Sequence, residues 1–75
     1  MIHVNLKFAQ TDQIVRFVRI MNRYDINGDI RCGSRVVDAK SVMGVLALAK
    51  HHDVELILHT EECTSLLQDI APYAA

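Results

Sequence analysis

Val37-Asp38-Ala39-Lys40-Ser41-Val42-Met43-Gly44-Val45-Leu46-Ala47-Leu48-Ala49 changes character at its centre. It begins as the end of an extended run, passes a single serine, and continues as a short, strongly apolar segment with helical character. Val42, Met43, Val45, Leu46 and Leu48 are more than one helix face can bury, so part of the run is expected at the surface. Val42, Val45 and Ala49 share one face and are expected in the core, while Met43 and Leu46 fall toward another side. A serine placed before such a run reads most simply as an N-cap, its hydroxyl accepting from a backbone N–H two or three residues on. Gly44 is a mild cost inside a helix, or marks a place where something packs closely. The segment therefore predicts an exposed apolar patch beside a capping serine, and an adaptable Met suits such a docking surface.

Upstream, Gly33-Ser34 separates two short strand candidates, Asp29–Cys32 and Arg35–Asp38. A two-residue link opening with Gly fits a type II′ hairpin turn, where Gly takes the positive φ. Tyr24-Asp25-Ile26-Asn27-Gly28 breaks whatever precedes it. That element is an amphipathic helix: Ile14, Phe17, Val18 and Met21 recur at i, i+3, i+4, i+7, and Arg16, Arg19, Asn22 and Arg23 take much of the rest. Thr11 or Asp12 suits its N-cap. Before it, Ile2, Val4, Leu6 and Phe8 alternate with His3, Asn5 and Lys7, the pattern of a half-buried strand. Downstream, His51-His52-Asp53 is a polar break, and Val54, Leu56 and Leu58 alternate with Glu55, Ile57 and His59 in a fourth strand. Glu61 and Glu62 are expected to open a last helix, where negative charge suits the positive dipole end. Cys63, Leu66, Leu67 and Ile70 keep helical spacing, and Pro72 is expected to end the element. The order is β-α-β-β-α-β-α, an α+β arrangement with a four-stranded antiparallel sheet, three helices on one face and solvent on the other. The 75 residues are expected to form a single domain, with no internal repeat or linker.

Composition narrows the function classes. Eight basic residues against nine acidic, a net charge of -1, argue against nucleic-acid binding, which needs a basic face for phosphates. No run is long and apolar enough for a membrane span, and Met1-Ile2-His3-Val4-Asn5 alternates unlike a signal peptide, so a cytoplasmic location is expected. Cys32 and Cys63 are read as free thiols. Adjacent His51-His52 and the widely separated cysteines do not form a metal-ligand spacing. His3 and His59 stand at outward strand positions, as neighbours across the sheet. Asp25, Asp29 and Asp38 read as turn residues, and no carboxylate has a nucleophile or base at a telling spacing. The chain is not expected to be an enzyme or to need a cofactor.

With this element order, the run Ala39-Lys40-Ser41-Val42-Met43-Gly44 resembles the HPr family, the histidine-containing phosphocarrier proteins of the bacterial sugar phosphotransferase system. Phe17-Val18 and the Gly33-Ser34 hairpin support the resemblance, which spans essentially the whole chain. It implies the HPr-like open-faced β-sandwich. In Gram-positive members a similar run surrounds a serine phosphorylated by a dedicated kinase; Ser41 matches it, and Val42, Met43 and Leu46 match the docking residues that follow. A phosphoserine adds about -1.5 to -2 charges, which a helix N-terminus can stabilise and which Lys40 is expected to help neutralise. The family's His-Thr/Ala-Arg-Pro motif before the first helix does not carry over. Its positions here are Gln10, Thr11, Asp12 and Gln13. A glutamine amide is no nucleophile at neutral pH, and Asp12 puts a negative charge where the family uses a positive one. A catabolite-repression variant of the family also carries Gln for the His, though it keeps the Arg-Pro.

The expected function is thus an HPr-like regulatory or protein-interaction protein without histidine phosphocarrier activity, switched at Ser41. Its partner surface comprises Arg16, Lys40, Val42, Met43, Gly44 and Leu46. The partners implied by the resemblance are an HPr kinase/phosphorylase, a catabolite-control transcription factor or phosphotransferase-system proteins, with the chain a monomer or weak homodimer. One alternative is a divergent phosphocarrier phosphorylated at a displaced His among His3, His51, His52 and His59. A second is a structural or oligomerising module with no regulated residue.

Overall fold

The computed structural model of the protein describes residues 1–50 and 53–75, so the break expected at His51-His52 lies outside the described residues. The chain runs β1 (Ile2–Leu6), α1 (Thr11–Asn22), β2 (Gly28–Cys32), β3 (Arg35–Asp38), α2 (Val42–Ala49), β4 (Val54–Leu58) and α3 (Thr64–Ile70), followed by a single 3₁₀ turn over Ala71–Tyr73. Every strand and helix read from periodicity is present. The strands form one antiparallel sheet in the order β1-β4-β2-β3.

Alternation decides which face each strand buries. Val4, Leu56, Ile30 and Val37 lie in register across all four strands and point toward the helices. The neighbouring row Asn5, Glu55, Arg31 and Val36 points the other way. On α1 the stripe Ile14, Phe17, Val18 and Met21 is buried, as its spacing predicts. The core is almost wholly aliphatic, with one aromatic knot: Phe8 and Phe17 meet edge-on at 5.5 Å, and Tyr73 lies 5.6 Å from Phe8. Between β2 and β3, Gly33 has φ +63 while Ser34 does not turn positive, which is the expected II′ geometry.

Two local expectations change. The N-cap of α1 is Gln10, not Thr11 or Asp12, and its side chain makes no capping bond. The Gln13 side chain instead reaches back past the cap, its Oε1 accepting from the Ala9 N–H at 2.7 Å. Glu61 and Glu62 precede α3 rather than open it; Cys63 is the N-cap. Thr60 Oγ1 accepts from the Glu62 N–H and donates to its carbonyl, holding this segment as a turn. Pro72 ends the last helix as expected, α3 stopping at Ile70. It sits in the 3₁₀ turn, after which Lys7 N–H donates to Tyr73 O and Ala75 N–H to Asn5 O, both at 2.8 Å, adding the tail to the edge of β1.

Candidate functional site

Two helix starts carry the positions singled out by sequence, and their chemistry differs. At α1, Gln10 is extended (φ -141, ψ 155) and the Gln13 N–H donates to the Gln10 carbonyl at 3.1 Å. No histidine lies between Phe8 and Gln13. Asp12 occupies the first turn, and its carboxylate lies 3.5 Å from Arg16 Nη2, one turn along. The positive end of this helix thus already holds a carboxylate of the chain. Both side chains are exposed, so the pair is weak.

At α2, Ser41 is the N-cap in extended conformation (φ -99, ψ 110), and its Oγ accepts from the Gly44 N–H at 3.3 Å. The Ser41 carbonyl accepts the first helical bond, from Val45 N–H at 2.9 Å. The turn leading in is set by Asp38: its Oδ1 accepts from Lys40 N–H at 2.9 Å and its carbonyl accepts from Ser41 N–H at 3.1 Å. Gly44 is there because the helix sits tightly on β3. A Cβ on it would stand 3.1 Å from Val37 Cβ and 3.3 Å from Ser41 Oγ. Met43 is 83% exposed and Val42 37%. Val42 therefore leaves the core face to which spacing assigned it. As the first helical residue it stands at the open end of α2, and the buried stripe is Val45, Leu48 and Ala49. Leu46 is half-buried against the core.

Lys40 points elsewhere than expected. Its ammonium donates to the Tyr24 carbonyl at 2.8 Å in a partly buried position. Its own carbonyl accepts from Asn22 Nδ2 at 3.2 Å, and the same amide reaches the Val18 carbonyl at 2.9 Å. The Tyr24 hydroxyl in turn donates to Asp69 on α3, and that bond, ahead of modest burial, raises the Tyr24 pKa above 10.0. Asn22 and Tyr24 are site-shaping residues that periodicity assigned only to a solvated face and a break. The one local signal was a polar side chain at the last residue of α1.

The partner surface is thus only partly gathered. Met43 and Val42 are exposed, Leu46 is half-buried against the core, Gly44 is packed on Val37, and Arg16 is exposed beside Asp12. His3 and His59 are not paired with each other. His3 Nδ1 lies 3.1 Å from Glu55 Oε2, and His59 Nε2 lies 2.7 Å from Asp29 Oδ2. Glu55 Oε1 is covered by Arg31, whose Nη2 is 2.8 Å away but off the line of a hydrogen bond, so the contact is one of charge. Burial, with Glu62 adding, pushes the Cys63 thiol up, which keeps it protonated and slow to react. A shallow cavity of about 480 Å³ lies on the open sheet face near the hairpin, lined by Asn5, Arg31, Cys32, Asp53 and Glu55 among others, away from both helix starts. Among the described residues no His, Cys, Asp or Glu side chains converge into a metal-binding group, and no helix is long and apolar enough to cross a membrane.

This architecture is shared with solved structures. The chain superposes on HPr-C-His from Thermoanaerobacter tengcongensis with a TM-score of 0.76 at 16% identity, covering 96% of this chain and 89% of that one. It superposes on the phosphocarrier protein HPr from Bacillus anthracis str. Ames with a TM-score of 0.73 at 22% identity, covering 99% and 94%. No curated protein sequence matches the chain significantly. A family model described as the PTS HPr component phosphorylation site matches residues 10–71, from the cap of α1 to the first residue of the 3₁₀ turn. With that match spanning both helix starts and most of the sheet, the chain belongs to the HPr family, the phosphocarrier proteins of the phosphotransferase system.

Proposed function

We propose that the chain is an HPr-like regulatory or protein-interaction protein of this system, controlled at Ser41 and without phosphoryl transfer through the start of α1. The observation that carries the reading is the contrast in surface chemistry at α2: an exposed capping hydroxyl directly followed by the exposed Val42 and Met43 side chains. A phosphate on Ser41 Oγ meets the free N–H groups and positive end of α2. It also sets about -1.5 to -2 charges beside an apolar patch, favouring a partner with cationic groups over one that docks by apolar contact alone. At α1 the residues argue the other way. Gln10 offers no nucleophile, and Asp12 repels a phosphoryl group.

The partners that fit are an HPr kinase/phosphorylase acting on Ser41 and a protein that reads the Ser41–Leu46 segment, such as a catabolite-control transcription factor or another phosphotransferase component. The test is incubation with HPr kinase and ATP, followed by mass mapping of the phosphate. Stoichiometric modification at Ser41, absent in Ser41→Ala, is the expected result; an unmodified Ser41 ends this reading. In parallel, enzyme I with phosphoenolpyruvate is expected to leave no acid-labile phosphate on the chain. A label on His3, His51, His52 or His59 would instead establish a displaced phosphocarrier site.

A further inference from the structure

Lys40 immediately precedes Ser41, yet all its polar groups are committed to other elements. Its N–H donates to Asp38 Oδ1 at 2.9 Å, at the end of β3. Its carbonyl accepts from Asn22 Nδ2 at 3.2 Å, at the end of α1. Its ammonium donates to the Tyr24 carbonyl at 2.8 Å, in the segment after α1. Asn22 is anchored by its second bond to Val18, and Tyr24 is tied to Asp69 of α3. We infer that Lys40 and Asn22 are positioning residues for the Ser41 segment, a reciprocal clamp between the end of α1 and the entry to α2, and that Lys40 is not the counter-charge for a phosphate on Ser41.

The physical argument is one of competing partners. The Lys40 stem is drawn under the segment toward Tyr24, so moving the ammonium to Ser41 Oγ leaves a partly buried carbonyl without its donor. The Ser41 segment is held locally by the Gly44 bond to Ser41 Oγ, the Val45 bond to the Ser41 carbonyl, the Asp38 contacts and the Ala39 bond to the Gly28 carbonyl. The Lys40 and Asn22 contacts add a restraint of a different kind, tying the segment to α1 and so to where the hydroxyl, Val42 and Met43 stand relative to it. This inference rests on the reading of Ser41 as the regulated residue for its function, but not for its geometry.

The test uses the full chain with phosphoserine installed at position 41 by synthesis, alone and with Lys40→Met or Asn22→Ala, and the same variants without phosphate. Amide exchange in the unphosphorylated proteins is expected to speed up by about fivefold at Gly44 in each variant, the loss of one hydrogen bond's restraint, while Leu56 in the central strand exchanges as before. Equal acceleration at Leu56, or none at Gly44, overturns the clamp. The phosphorus titration of the phosphoserine is expected to keep its midpoint within about 0.2 pH in Lys40→Met, because the ammonium does not face it. A rise of about half a pH or more in that variant overturns the assignment and makes Lys40 the counter-charge. A kinase that ignores wild-type Ser41 would count against the proposed function and leave both of these readouts intact.

Discussion

The starts of α1 and α2 are the same backbone feature, an extended cap followed by a first turn, yet their side-chain chemistry differs. The first has an uncapped Gln10, a first-turn carboxylate and a paired arginine. The second keeps a capping hydroxyl, a glycine that lets the helix lie on β3, and exposed apolar side chains. Both are held on one core, through Phe17 and Val18 on α1 and Val45 and Leu48 on α2. One core can therefore position two helix starts whose first-turn chemistry differs. Core residues set where the helix ends stand, and the first-turn side chains decide what they can do.

The largest expected effect removes the shared support. Phe17→Ala empties a fully buried position beneath the Phe8–Tyr73 pair and is expected to cost about 3–5 kcal/mol, read from urea unfolding. Both helix starts should be lost together; survival of the α2 start alone would separate what the comparison joins. Gly44→Ala is next. Helix propensity favours alanine by about 1 kcal/mol, but Val37 Cβ is a branch point on the backbone and cannot swing aside, so net destabilisation of about 1 kcal/mol is expected. Stabilisation in that variant would mean α2 can lift off β3.

A sharper comparison replaces each cap. Ser41→Ala is expected to cost about 1 kcal/mol, while Gln10→Ala, whose side chain makes no capping bond, should stay within about 0.5 kcal/mol of wild type. Equal losses would show that the two caps are energetically alike. The smallest effect is alkaline. The Asp69 bond raises the Tyr24 pKa in the folded chain above 10.0, so the stability it contributes is present at neutral pH and lost as pH rises past that value. Urea midpoints at pH 8 and 11 are expected to differ less in Tyr24→Phe than in wild type.

The element order and hairpin turn were legible in the sequence because they rest on short-range rules. Ile2–Leu6 and Val54–Leu58 alternate, Ile14 to Met21 keep helical spacing, and Gly33 supplies the one positive φ among the described residues. The capping role of Ser41 was legible for the same reason, since its partner Gly44 is three residues away. Errors fell where two local choices were nearly equal. Gln10, Thr11 and Asp12 are adjacent, and the helix takes up Thr11 and Asp12 as its first turn with Gln10 as the cap. Val42 shares a face with Val45 and Ala49 by angle, but angle does not tell how far a helix end projects beyond its sheet.

The sequence by itself determined the strands, the helices, the faces they bury and the identity of the residues at each helix start, since all of these follow from spacing within a few residues. Only the tertiary structure decided the sheet order, the return of Tyr73–Ala75 onto β1, and the bond of the Lys40 ammonium to the Tyr24 carbonyl. Those contacts join positions far apart in the chain. Their hydrogen bonds form only after the core has brought the elements together, and no local pattern specifies them.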